Sequence, residues 1–178
     1  MSDPLYLFAA VTPYLAMLCW WDCRYRRLPD VLTLGAAVVA LAWRCGSPGG
    51  LAAFLAGVTG GLVCGLFLLL PFYLGGAGGG DVKMLFSSGC VLGLGRCGMF
   101  LFLTSVSGLA LMALMLSFRL ADGRRLKHWL RCLFDWRYDR AAGRAALPPK
   151  NDERTRVPFG VAIALGMWLE LALEVWRG

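Results

Sequence analysis

Apolar residues gather along this chain in six blocks, 5–21, 31–43, 51–70, 84–95, 97–118 and 157–176, with polar stretches between them. Inside the blocks there is neither the strict alternation of a half-buried strand nor the narrow stripe of a surface helix. Long blocks of this kind read as helices that cross a membrane. A crossing wants ~20 residues, so the second and fourth blocks need tilt, polar extensions or a locally thinned bilayer. Helices are therefore expected at about 5–21, 28–43, 51–74, 82–96, 97–118 and 157–176. The fold class is an all-α polytopic membrane protein in one domain, residues 1–178.

Composition agrees with that pattern. The chain is 58% hydrophobic and 16% charged, with a mean hydropathy of +0.63, outside the range of soluble domains. Charge then orients the helices. Of the 18 Lys and Arg, all but Arg44, Arg96 and Arg177 fall after the first, third and fifth helices, eleven of them within 119–156. Basic residues concentrate in cytoplasmic loops, so six spans with both termini outside and the basic loops in the cytoplasm satisfy the rule. The net charge of +7 is thereby assigned to loops at a cell membrane, and no nucleic-acid partner is expected. The N-terminus lacks the basic start of a secretory signal, so the first block is expected to be kept. Seven cysteines form no CxxC pair and there is one histidine, His128, so neither a metal nor a cofactor is expected.

Two further patterns are structural. Gly57, Gly61 and Gly65, with Gly60 beside them, make a small-residue stripe that lets a neighbouring helix approach. In the polar segment 119–156, Leu126, Trp129, Leu130, Leu133 and Phe134 share one helical face with Lys127 and Arg131 off it. That pattern predicts an interfacial helix at about 124–137, with a substrate-docking helix as the competing reading. The stretch RAAGRAALPPKNDERTR after it reads as a flexible loop.

Chemistry points to two aspartates. Asp22 ends the first helix in CWWDCRYRRLPD, and Asp81 closes the glycine strip GGAGGGDVKML and opens the fourth. Because one helix runs inward and the other outward, both carboxylates are expected at the cytoplasmic edge of the bundle. Ionisable groups near membrane depth are costly and mark function by default. Two carboxylates sharing a site separate in pKa, so one can take a proton from water while the other donates to a carbonyl oxygen. Gly78 and Gly80 would leave room for a substrate backbone, and Lys83 would balance local charge or hold the substrate. The bland alternative stays open: residues 75–80 as a connector, Asp81 as a helix cap and Asp22 as a counter-ion for nearby arginines.

The motifs themselves resemble those of the type IV prepilin leader peptidases. Gly78-Gly79-Gly80-Asp81 followed by Val82 and Lys83 is similar to the family's GxGDxK signature. Asp22 is followed six to eight positions on by Leu28, Pro29 and Asp30, where the family carries Ile or Leu, Pro and Asn. VPFGVAIALG, at the start of the last helix, is similar to the family's closing segment. The resemblance implies Asp22 and Asp81 as the catalytic pair of an aspartic endopeptidase. It also implies prepilin-like substrates, cut on the cytoplasmic side between a short basic leader and an apolar helix, in a pilus or secretion assembly. Asp30 departs from the usual Asn and adds a third carboxylate near the site. Four residues precede the first helix and no CxxC pairs are present, so the short peptidase-only form associated with tight-adherence pili is expected, without N-methyltransferase activity. Two rivals remain: a non-enzymatic scaffold or transporter subunit with a structural acid pair, and a GxGD intramembrane protease of the presenilin or signal-peptide-peptidase type.

Overall fold

A backbone in hydrocarbon must satisfy its own N–H and C=O groups, and an apolar block does so by coiling into a helix. In a computed structural model the described residues are 4–25, 28–73, 77–118, 124–135, 137–146 and 159–177, and they contain no strand. Their helices are α1 Pro4–Tyr25, α2 Asp30–Cys45, α3 Gly50–Tyr73, α4 Gly79–Leu92, α5 Leu94–Ser117, α6 Arg124–Phe134, α7 Arg140–Ala145 and α8 Phe159–Arg177. Four of them, α1, α3, α5 and α8, are long and apolar enough to cross a membrane. At 16 and 14 residues, α2 and α4 are shorter, roughly 24 and 21 Å by helical rise.

The boundaries differ from the expected ones in ways that matter for the site. Helix α1 runs on past Trp21, so Asp22 lies within it rather than at its end. Gly79 and Gly80 form the first turn of α4, where the sequence suggested a flexible strip. That helix stops at Leu92 because Gly93 turns with φ +76, a conformation that suits glycine. The chain therefore breaks between α4 and α5 at Gly93, earlier than the expected 96–97.

Two compact units divide the chain, Met1–Gly108 with Pro158–Gly178, and Leu109–Val157. In the first, α4 packs against α2, α3 and α8, while α1 packs against α8. Met84 and Leu85 of α4 are fully buried together with Phe100, Ile163 and Met167. The small-residue stripe of α3 meets α4 almost backbone to backbone: a Cβ on Gly60 would stand 2.7 Å from the Gly89 carbonyl oxygen. At the far end of α4, Arg44 donates from Nε to Cys90 O at 2.9 Å and from Nη2 to Val91 O at 2.9 Å. These bonds satisfy carbonyls at the negative end of the helix.

This packing gives a prediction of opposite signs. Gly60→Ala is expected to lower Tm in detergent by several degrees, because forcing extra volume into a packed contact typically costs about 1–3 kcal/mol. Gly35→Ala, where a Cβ meets nothing within 4 Å, is expected to hold or raise Tm, since alanine is the better helix former.

The second unit holds α6 and α7. His128 Nδ1 and the Tyr138 hydroxyl lie 2.9 Å apart, and Arg140 donates to Cys132 O at 3.3 Å. Of the expected interfacial stripe, Leu130 and Phe134 are exposed. The side chains of Leu126, Trp129 and Leu133 lie outside the described residues, as do residues 147–158; of the segment read as a loop, the described part holds α7.

Candidate active site

Asp22 is held by an unbroken helix and is 6% exposed, an unusual setting for a carboxylate. It faces the start of α8. A Cβ on Gly160 would stand 2.7 Å from Asp22 Oδ2 and 3.0 Å from its Cγ, so only glycine admits the side chain in this position. The second residue of α8 thus lies against Asp22, at the helix end whose partial positive charge suits an anion.

Asp81 is placed by the first turn of α4. Its N–H donates to Gly78 O at 3.2 Å, and the Gly78 N–H donates to Asp81 Oδ2 at 3.1 Å. The returning bond fixes the carboxylate against its own helix start, as the acidic member of a capping box does. The Asp22 carboxylate lies within electrostatic reach of Asp81. The two aspartates, 59 positions apart in sequence, therefore act on one another.

Segment 28–30 completes the arrangement. Pro29 sets an extended turn, φ −69 and ψ 132, and α2 opens on Asp30. Leu28 fits against Gly80, where an added Cβ would come 3.3 Å from Leu28 Cβ. Lys83 Nζ meets Asp30 Oδ1 at 2.7 Å, which ties the start of α2 to the first turn of α4. Both partners are substantially exposed, so the pair is worth little stability, about 0–1 kcal/mol. Lys83 is thereby engaged by Asp30, in keeping with the charge-balancing one of its two expected roles, and Gly80, expected to leave room for a substrate backbone, lies against Leu28. Gly78 serves the Asp81 carboxylate through its N–H.

Four helix ends meet here: α1 near its close, and α2, α4 and α8 at their starts. Leu18, Met84, Leu85 and Ile163 are buried in the core these helices share. An apolar cavity of about 230 Å³, lined by Leu34, Leu62, Leu66, Val82 and Lys83 among others, lies between α2, α3 and α4 beside this end. Among the described residues no three His, Cys, Asp or Glu side chains gather to hold a metal. Gly160 is the residue that sequence reasoning passed over: its segment was noticed, but nothing in its spacing says which side chain it meets.

The type IV leader peptidase family model matches residues 9–113, a stretch that contains both Asp22 and Asp81 and ends before Gly160. Neither the curated proteins nor the solved structures compared with the chain include a match.

Proposed function

Since the chain belongs to the type IV leader peptidase family, and so is a protease of that kind, we propose that it is an aspartic endopeptidase cutting the basic leader from prepilin-like precursors. The observation that carries this reading is a buried Asp22 within electrostatic reach of Asp81, which the Gly78 N–H holds at the start of α4. In this reading Asp22 is the ionised member and Asp81 holds the proton. Water between them gives a proton to Asp22 as its oxygen attacks the scissile carbonyl carbon, and Asp81 protonates the carbonyl oxygen. The resulting diol collapses as Asp22 passes its proton to the amide nitrogen, the C–N bond breaks and one diol hydroxyl returns a proton to Asp81. The products are a leader ending in a carboxylate and a mature chain starting in an amine.

The same reading sets the membrane frame. Helices α2 and α4 join the four longer ones to make six spans, with both termini outside and the basic loops in the cytoplasm. The dyad then faces the cytoplasm of a cell membrane, where the leader lies. The apolar cavity beside Val82 suits a hydrophobic substrate residue near the cut. With no CxxC pair in its sequence, the chain is assigned cleavage and no N-methylation. The setting is pilus or secretion assembly.

The test is to incubate the purified, detergent-solubilised chain with a prepilin and measure product mass. A product shortened by the leader, formed equally well with a chelator present, is expected. A folded, monodisperse preparation that leaves the prepilin intact contradicts the reading.

A further inference from the structure

Peptide hydrolysis leaves the C-terminal half of α8 without a role, yet it carries two acids. Glu170 is 7% exposed and lies ten residues beyond Gly160, roughly 15 Å farther along the helix. Arg96, in the first turn of α5, pairs with Glu174 Oε1. That pair leaves Glu170 Oε2 and Glu174 Oε2 buried with no hydrogen-bond partner among the described residues. Against them lies a cavity of about 340 Å³ lined by Gly95, Arg96, Met99, Glu170, Glu174 and Arg177.

Buried carboxylate oxygens without donors are costly, so this lining calls for a ligand that donates hydrogen bonds. Its charges say more. Arg96 and Glu174 answer each other, which leaves a buried acceptor at Glu170 and an exposed guanidinium at Arg177. A bare divalent cation suits such a lining poorly, with two carboxylates and two arginines around it. A ligand with an ammonium a short reach from a phosphate matches both signs. The surroundings identify its source: Leu94, Met99 and Trp176 beside the cavity are exposed apolar side chains, at the ends of two helices able to cross a membrane. Aromatic and apolar residues there are at the level of lipid headgroups.

We propose that this cavity binds the headgroup of an aminophospholipid. Its primary ammonium donates to Glu170 Oε2 and Glu174 Oε2, its phosphate meets Arg177, and its acyl chains run along the apolar surface at Leu94 and Met99. A quaternary ammonium has no N–H to donate and is the natural control.

Delipidated protein in detergent, supplemented with phosphatidylethanolamine or with phosphatidylcholine of the same chains, tests this. Phosphatidylethanolamine is expected to raise Tm by about 5 °C and phosphatidylcholine by less than about 1 °C. Native mass spectrometry should show one retained phosphatidylethanolamine. Glu170→Gln should abolish the difference while prepilin cleavage continues. Arg177→Ala, at the exposed rim and so harmless to folding, should weaken phosphatidylethanolamine binding about tenfold. Equal shifts from the two lipids, or a full shift retained in both variants, would overturn the proposal. So would an equal shift from soluble phosphoethanolamine, which would assign the cavity to a water-borne ligand.

Discussion

Asp22→Asn is expected to cut prepilin at no more than about one-thousandth of the wild-type rate, and Asp81→Asn likewise. The substitutions are chosen to keep shape and remove proton chemistry. An amide can neither accept water's proton, the role proposed for Asp22, nor deliver one, the role proposed for Asp81. A thousandfold loss is about 4 kcal/mol of barrier, well within what positioned acid–base groups contribute. The fold should persist in both cases. At position 81 the amide oxygen can still accept the Gly78 N–H that now goes to Oδ2. At position 22 the substitution removes a buried charge, which is costly in a site this enclosed. Rates are read from prepilin conversion after each variant has matched wild type in helicity and size-exclusion profile. Either variant cutting at the wild-type rate would remove its aspartate from the reaction.

Gly160→Ala is expected to lower kcat about a hundredfold with little change in KM or Tm. The Cβ would stand 2.7 Å from Asp22 Oδ2, and that oxygen is the movable end of a short side chain. The clash is therefore relieved by turning the carboxylate, not by separating α8 from α1. A displacement of an ångström in a reacting group costs on the order of a hundredfold. Leu165→Ala, on an exposed position of the same helix, should cut at the wild-type rate and serves as the control. Loss of Tm alongside activity in Gly160→Ala would show that the glycine matters for packing and not for aiming Asp22.

Much of this was legible because hydrophobic runs and charge placement are local. The helical class, the small-residue stripe on α3 and the two aspartates all follow from residues near one another in sequence. What meets what across helices is not local. Asp30 read as an odd third carboxylate, and only the register of α2 against α4 gives it Lys83 as a partner. Gly79 and Gly80 read as non-helical, either room for a substrate backbone or a connector, because glycine lowers helix propensity; tertiary support at Leu28 and the Asp81 bond to Gly78 keep them helical. Glu170 is plain in the sequence as an acid near the end of an apolar block, but its burial is not, since that depends on which face of α8 turns toward α5.

The central claim is that Asp22 and Asp81 act as one unit in breaking the peptide bond. Its most direct measurement is the single-turnover cleavage rate of the Asp22→Asn, Asp81→Asn double variant beside the two single variants. Residues that act together are non-additive, so the double variant should be no slower than the slower single one by more than about twofold. Losses that multiply, with each substitution costing its full factor on top of the other, would mean that the two carboxylates work in separate steps.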